Sequence, residues 1–252
     1  MIRGLYTAAA GLATATLRLG VVSNNIANVS TAGYKQDRLP DEVGRSLDLV
    51  RWAVDDNGNP VGSITLGPKS GLSQLDLSPG PIQETGNPLD LAIAGTGFFA
   101  VQGADGQTRY TRDGGFRIDA DGSLRSRDGS AVLNQNGQPI QLPSRAPVEV
   151  GADGSLRVDG VVADQLLVVD FAPGQQLLKQ GNGLFTPANG ALPQPTTTAQ
   201  LYQGFLEGSN VDLTESMVQT MNLVRAYEAN QRLLQVQDQT LARAANDIGK
   251  VA

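Results

Sequence analysis

Apolar residues recur at alternating steps of three and four positions near both ends of the chain. Such spacing places them on one face of a helix, and a stripe this narrow is typical of coiled-coil packing. The first series is Ile2, Leu5, Ala9, Leu12, Thr16, Leu19, Ser23 and Ile26. The second series is Leu213, Met217, Thr220, Val224, Tyr227, Gln231, Leu234, Asp238, Leu241, Ala245 and Ile248. We predict a helix at each end, packed either as a hairpin within one molecule or against helices of other copies.

Proline and glycine support this division because both residues break helices. All 13 prolines lie between residues 37 and 208, and residues 209–252 contain a single glycine, Gly249. Asn210 or Asp212 is suited to cap the second helix, and Glu215 follows Asp212 at the spacing of a capping box. Helices are therefore expected at the two ends and not between them.

The middle of the chain alternates short apolar runs with Asp-Gly and Asn-Gly pairs, which is the pattern of β-hairpins. The strands are supplied by runs such as PLDLAIA, GFFAVQ, SLRVDGVV and QLLVVDF. The predicted fold class is α+β, with N- and C-terminal helices forming a coiled-coil-like bundle and a central all-β domain inserted between them. The predicted divisions are an N-terminal helix in 1–36, an extended connector in 37–70, the β domain in 71–208 and a C-terminal helix in 209–252.

Composition excludes several kinds of function. The net charge of −6 argues against nucleic acid as a partner, because a phosphate backbone requires a clustered basic face. The chain has no cysteine and no histidine, so thiol nucleophiles, histidine-based triads and Cys/His zinc sites are ruled out. We expect no cofactor and no bound metal. The N-terminal apolar residues are interrupted by Arg18, which argues against a secretory signal peptide. No continuous apolar run approaches the length of a transmembrane helix, so no membrane insertion is expected.

Three motifs have simpler explanations than the chemistry they resemble. Residues 95–100, GTGFFA, fit a loose dinucleotide pattern, but the residues that follow predict a strand where a helix is required. Asp119, Asp121 and Gly122 resemble a calcium loop without its distal glutamate, so a hairpin turn is expected there. The carboxylates Glu84 and Asp90 are placed on turns or strand faces rather than in a hydrolytic pair.

Three blocks, taken together and in this order, resemble the rod and hook family, the axial proteins of the bacterial flagellum. The first is SNNIANVSTAGYK at residues 23–35. The second comprises TGNPLDLAIAGTGFFAVQ and RYTRDGGFRIDADGSL, and the third is LEGSNVDLTESMVQTMNLVRAYEANQRLLQ at 206–235. The stretch from VLNQNGQPIQLP to LLKQGNGLF is most similar to a proximal-rod protein, whereas RAYEANQR is closer to distal-rod and related hook–basal-body proteins.

The resemblance implies a structural protein rather than an enzyme. Terminal helices from many subunits would form an inner tube and the β domains an outer layer. The implied partners are copies of the chain, other flagellar rod and hook proteins, and the flagellar type III export apparatus. The implied location is the basal-body rod in the periplasm, reached without a cleaved signal, where the rod transmits torque from motor to hook.

The candidate assembly residues come from the two helical stripes and from the polar run that follows the first. One stripe contributes Ile2, Leu5, Leu12, Leu19 and Ile26, and the other contributes Met217, Val224, Tyr227, Leu234 and Leu241. Asn24, Asn25 and Asn28 are expected both to satisfy the helix end within the chain and to bond between subunits. Gly33 is expected to supply the positive φ that turns the chain outward.

Two other classes of function remain open from the residues alone. One is a different filament subunit, such as a phage-tail-like tube protein. The other is a cell-wall hydrolase that uses carboxylates. The Asn-rich block and the GSNVDLTESM segment argue against the first alternative, and the lack of an identifiable catalytic arrangement argues against the second.

Overall fold

The computed structural model describes residues 2–42, 46–51, 59–65, 69–70, 73–142, 147–172, 174–188, 190, 193–196 and 199–249. One helix, α1, spans Ile2–Ala27, and a second, α2, spans Leu213–Gly249, with a strand-rich region between them. This order confirms the predicted α+β class and the predicted helix at each end. α2 begins directly after Asp212, one of the two predicted capping residues.

The strands are short, as expected for a region so rich in turns. The first eleven are β1 Asp37–Arg38, β2 Asp41–Glu42, β3 Ser46–Arg51, β4 Asn59–Thr65, β5 Lys69–Ser70, β6 Gln74–Leu75, β7 Ile82–Glu84, β8 Leu91–Ala94, β9 Phe98–Gln102, β10 Thr108–Thr111 and β11 Arg117–Ile118. The others are β12 Leu124–Arg125, β13 Ala131–Val132, β14 Val148–Val150, β15 Ser155–Val158, β16 Val161–Gln165, β17 Val168–Asp170, β18 Leu177–Gly181, β19 Leu184–Pro187, β20 Gln194–Pro195, β21 Gln200–Gln203 and β22 Phe205–Glu207.

The chain forms two compact units. The helical unit contains Met1–Ile26, Asp37–Gln74 and Leu213–Ala252, and the β unit contains Ala27–Gln36 and Leu75–Asp212. Residues 37–70, for which the sequence predicts an extended connector, carry β1 to β5, with β3 paired antiparallel to β4 and β2 to β5. The sequence signal was weak there because few of these residues form a clear alternating run.

Within the helical unit, α1 and α2 approach each other closely where α1 carries glycine. A Cβ atom added to Gly4 would lie 2.0 Å from Nε2 of Gln237, and one added to Gly11 would lie 2.9 Å from Nδ2 of Asn230. From the first contact to the second, the residue number rises by seven on α1 and falls by seven on α2. The two helices therefore lie antiparallel at these contacts. Each amide side chain occupies a space that a larger residue on α1 would fill.

The length and composition of α1 correct one expectation from the sequence. Residues Gly4–Ala27 are long and apolar enough for a membrane span, with a mean hydropathy of 1.3. The sequence analysis looked for a continuous apolar run and therefore missed this segment, which contains Arg18 and many alanines. A single helix of this kind near the N-terminus is weak support for a membrane span, because core helices of soluble proteins have the same composition.

The β unit is built around a nine-stranded sheet with β9 near its centre. The strand order is β11-β12-β13-β9-β10-β19-β18, and β17 pairs with β9 and with β20. A second sheet has the order β14-β15-β16, and two further pairs join β8 with β21 and β7 with β22. The last two pairs attach the end of the β unit to its beginning, which places residues near 205 beside residues near 83.

Side chains of β9 point alternately to two cores, as the period of a strand requires. Phe99 and Val101 belong to the larger cluster with Leu91, Phe116 and Leu156. The smaller cluster packs against the other face of the strand, and it contains Phe98, Ala100, Tyr110, Leu133, Val169, Phe171, Leu177 and Phe185. The run GFFAVQ is therefore buried on both faces, and its strand contributes side chains to both cores.

Several of the predicted Asp-Gly pairs form tight turns. Gly122 and Gly154 have φ values of 82° and 83°, a conformation that favours glycine. In each turn the preceding aspartate, Asp121 or Asp153, accepts hydrogen bonds from the serine two residues later. The resemblance of residues 119–122 to a calcium loop therefore reflects a hairpin turn. No group of carboxylates with metal-binding geometry occurs among the described residues.

Candidate assembly interface

The Asn-rich run after α1 folds back on its own chain. The buried Asn25 side chain donates from Nδ2 to the carbonyl of Asp37 at 2.8 Å, and its Oδ1 accepts from the amide of Asp37 at 3.0 Å. Asn28 accepts from the hydroxyl of Thr31 at 3.2 Å. Asn25 and Asn28 thus act within the chain, which is one of the two roles predicted for them. Asn24 is exposed on the surface of α1.

Gly33 turns the chain where no other residue would fit. Its φ is +66°, which confirms the predicted positive value. A Cβ atom at this position would lie 2.4 Å from the amide nitrogen of Asp113 and 2.5 Å from the carbonyl carbon of Arg112. Because these atoms belong to the backbone, they cannot move aside as a side chain would.

Directly after this turn, Lys35 enters a buried cluster of three charged side chains. Its Nζ lies 2.6 Å from Oε1 of Glu207 and donates to the carbonyl of Ser78 at 2.7 Å. Oε2 of Glu207 lies 3.1 Å from Nη1 of Arg112, close enough for an ion pair although not aligned as a hydrogen bond. Lys35 is 0% exposed, Glu207 1% and Arg112 3%.

Burial sets the electrostatics of this cluster. It lowers the pKa of the Lys35 ammonium, and the Glu207 carboxylate opposes that effect. It also lowers the pKa of Arg112, again opposed by Glu207. The carboxylate compensates two buried cations, and it accepts a further hydrogen bond from the amide of Gly80 at 2.9 Å. Arg112 in turn donates to the carbonyls of Ile93 and Gly95.

Asn210 completes the arrangement with its side-chain amide. Its Oδ1 accepts from the amide of Gln36 at 2.7 Å, and its Nδ2 donates to the carbonyl of Asp76 at 3.0 Å and to that of Ser78 at 3.1 Å. One side chain therefore joins the segment after α1, the segment after β6 and the segment before α2. We call the contacts of Lys35, Arg112, Glu207 and Asn210 the clasp.

The predicted stripe on α1 is only partly covered. Leu5, Leu12, Leu19 and Ile26 are half-buried, and the side chain of Ile2 lies outside the described residues. The most buried positions of α1 are Ala8, Ala15, Val22 and Asn25. These follow the same three-and-four spacing on a neighbouring face, together with Gly4 and Gly11. Small residues therefore occupy the contact with α2, and the leucines lie at its margin.

On α2 the predicted residues fall into two groups. Tyr227, Leu234 and Leu241 are half-buried, whereas Met217 and Val224 are 52% and 40% exposed. The covered face instead continues through Ser216, Thr220, Leu223, Asn230 and Gln237. The exposed residues form a separate apolar stripe along the first half of the helix, which we call the α2 stripe: Leu213, Met217, Met221 and Val224.

Sequence reasoning did not find the charged part of the clasp. Lys35 and Glu207 are 172 residues apart, and Arg112 lies in a loop between them. Each of the three residues lies in a different one of the three family-like blocks, and this was the available signal. Asn210 was noted only as a possible helix cap, but its side chain bonds to segments of the β unit.

Other candidate sites have ordinary structural roles. Residues 95–100 lead into strand β9 rather than into a helix, as predicted, so the dinucleotide pattern lacks the helix N-terminus that phosphate binding requires. Asp90 is buried and accepts from Asn87 at 2.9 Å. An open cavity of about 310 Å³ beside Arg109 and Asp128 is polar, and Arg109 already pairs with Asp105 at 2.6 Å.

Comparison with known proteins matches three parts of the chain. Residues 5–35 match the flagella basal body rod protein family, residues 92–158 the D1 domain of flagellar hook protein FlgE/F/G, and residues 202–247 the C-terminal region of flagellar basal body rod FlgEFG protein. The chain is 35% identical to the flagellar basal-body rod protein FlgG of Bacillus subtilis, over 98% of the chain and 99% of that protein. It is 32% identical to FlgF of Caulobacter vibrioides over the full length of both.

The strand-rich region lies between two long terminal helices, one of which has an exposed apolar stripe. With these full-length similarities, the chain belongs to the flagellar basal-body rod protein family. It is a structural subunit of the rod, as the sequence analysis predicted. The filament subunit of a phage-tail type is not favoured.

Proposed function

We propose that this subunit polymerises through its terminal helices, with α1 and α2 forming a coiled coil that neighbouring copies complete. The single observation that carries the proposal is the α2 stripe, in which Met217 and Met221 are 52% and 53% exposed. Complete burial of a Met, Leu or Val side chain is worth about 1.5–3 kcal/mol. Four half-exposed apolar residues on one face therefore leave a substantial driving force for association.

The relation between the two helices also supports assembly. The contact with α1 uses one face of α2, which includes Asn230 and Gln237. The α2 stripe lies on an adjacent face, so a second helix can pack there without displacing α1. Contacts of this heterologous kind generate an open helical filament when the rotation between copies does not close a ring.

The wider setting is part of the same proposal. The family membership supports a place in the rod where it crosses the periplasm, partners among other rod and hook proteins, export through the flagellar type III apparatus without a cleaved signal, and transmission of torque from motor to hook. We favour the proximal-rod type, with the distal-rod type as the alternative. Relatives named FlgF and FlgG are matched at 32% and 35% identity, so identity alone separates the two types poorly.

The division into functional segments belongs to the proposal as well. In it, 1–36 and 209–252 supply the inner helical layer, 37–70 links the layers, and 71–208 forms the outer β domain. Removing residues 1–26 should abolish polymer formation and leave the β unit folded, since that unit begins at Ala27. Normal polymerisation of the shortened chain would contradict the proposal.

A substitution in the α2 stripe tests the proposal most sharply. Met217→Asp combined with Met221→Asp places two charges on the exposed stripe, and we expect loss of sedimenting polymer and of motility with unchanged helical content by circular dichroism. Ala226→Asp is the matched control, because Ala226 is exposed on the opposite face of the same helix. Polymer formation by the double variant at the level of the control would contradict the proposal.

We propose no catalytic activity for this subunit. The alternative of a carboxylate-based cell-wall hydrolase has a direct test, because purified protein incubated with peptidoglycan should release no soluble fragments. Release that depends on Glu84 or Asp90 would support the enzyme instead.

A further inference from the structure

The clasp lies near three of the four places where the chain enters or leaves the β unit, those next to residues 36, 75 and 212. The chain passes between the two units next to residues 27, 36, 75 and 212. The clasp joins the three segments that begin or end there. The amide of Gly33 donates to the carbonyl of Glu207 at 2.8 Å, and the amide of Asp76 donates to the carbonyl of Gln36 at 3.0 Å.

The segments after α1 and before α2 lie parallel in the clasp. Gly33 bonds to Glu207, and further along both segments the amide of Asn210 donates to the carbonyl of Tyr34 at 3.3 Å and the amide of Gln36 donates to the Asn210 side chain. The partners advance together along the two segments. A pull on residue 27 toward the N-terminus and on residue 212 toward the C-terminus therefore loads opposite ends of a parallel pair.

This geometry determines how the contacts would break. Forces applied at opposite ends of a parallel pair shear all its contacts at once instead of opening them one after another. The buried Lys35–Glu207 pair at 2.6 Å and the Glu207–Arg112 pair at 3.1 Å are side-chain contacts between the same segments and the interior of the β unit. They are shielded from water, so competing hydration does not weaken them as it does a surface pair.

We propose that the clasp is a mechanical clamp that transmits force between the helical segments and the β unit, with Glu207 as its central positioning residue. This inference rests on the proposed torque-transmitting function for its biological meaning. Its physical content concerns a single chain. The clamp resists separation of residues 27 and 212, and it contributes much less to resistance along other directions.

Single-molecule pulling tests the proposal, and the lack of any native cysteine makes the attachment points unique. Two double-cysteine variants of the full-length chain define two pulling axes. In the first variant, Ala27→Cys and Asp212→Cys apply the force across the clasp. In the second, Asn136→Cys and Val161→Cys load the β unit through two exposed positions remote from the clasp in sequence. Glu207→Gln should unfold at least about tenfold faster at a given force on the first axis and at a nearly unchanged rate on the second.

Two further variants keep the result interpretable. Asp105→Asn removes the surface pair with Arg109, and we expect no change on either axis. Lys35→Met keeps the Glu207–Arg112 pair, and it serves as the test variant if Glu207→Gln does not fold. If unfolding accelerated equally on both axes, the clasp would contribute only to general stability, which would contradict the proposal. Unchanged unfolding on the first axis would also contradict it. Because the measurement uses single chains, it is independent of whether copies polymerise.

Discussion

Nζ of Lys35 lies 2.6 Å from Oε1 of Glu207, and both side chains are almost completely buried although 172 residues separate them. This pair joins the two segments of the β unit that lead along the chain to β1 and to α2. Breaking a buried ion pair by removing one partner costs about 3–5 kcal/mol, mainly because the other charge stays buried and unpaired. The stability of the β unit should therefore depend on this pair.

The two partners should not be equally sensitive. Lys35→Met leaves Glu207 paired with Arg112, whereas Glu207→Gln leaves two cations facing a neutral amide. We expect Glu207→Gln to lower the free energy of unfolding by about 3–5 kcal/mol and Lys35→Met by less. Urea denaturation of the two variants measures the difference. A larger loss for Lys35→Met would show that Arg112 does not share the carboxylate.

Gly33→Ala should be strongly destabilising for two separable reasons. The positive φ strains any residue with a Cβ atom, at a cost of about 1 kcal/mol or more, and the added methyl group collides with the backbone of Arg112 and Asp113. Gly86→Ala is the matched control, since Gly86 has a φ of 72° but open space around it. Thermal unfolding should show a clearly larger loss of stability for Gly33→Ala than for Gly86→Ala. Equal losses would mean that backbone strain accounts for the whole effect and that the collision contributes nothing.

Asp113→Asn should stabilise the protein at neutral pH. Burial raises the pKa of the Asp113 carboxyl above its ordinary value, so the folded state favours the protonated form. A raised pKa of an acid means that stability is lost as pH rises through the folded-state value. The advantage of Asp113→Asn should thus be full above that pKa and vanish below the unfolded-state value near 4. Melting curves at several pH values test this, and an advantage that grows on acidification would contradict it.

Leu234→Asp should abolish motility. Leu234 is half-buried on the covered face of α2, where an unpaired charge is costly. Leu233→Asp is the natural comparison, because its side chain is 54% exposed one position away. Swimming in soft agar and the yield of isolated basal bodies measure the outcome. Normal swimming by the Leu234 variant would count against a role for this face in assembly.

The sequence predicted the α+β class and the two terminal helices because periodicity and the absence of proline are local signals. Tyr227 and Leu234, two members of the predicted stripe, are half-buried on the covered face of α2. Met217 and Val224 belong to a different face, since a stripe with a period of 3.5 drifts against a helix of 3.6 residues per turn. A choice between neighbouring faces needs the partner helix, which a single sequence does not display.

The clasp could not be predicted for a different reason. Charged residues are usually exposed, so Lys35, Arg112 and Glu207 read individually as surface residues. Their burial depends on pairing across 172 residues, which leaves no local pattern. Asn25 was noticed as part of a polar run, but its bond to Asp37 depends on the chain returning after the Gly33 turn.

The two amide–glycine contacts between α1 and α2 limit how the helices can slide. Gly4 faces Gln237 and Gly11 faces Asn230, with seven residues between the contacts on each helix. A shift of one heptad, roughly 10.5 Å at 1.5 Å per residue, still seats one amide over a glycine. A shift of half that distance seats neither and drives an amide into a larger neighbour. We therefore expect the α1–α2 pair to prefer discrete positions instead of a continuum, a property that would suit the torque-bearing rod proposed above.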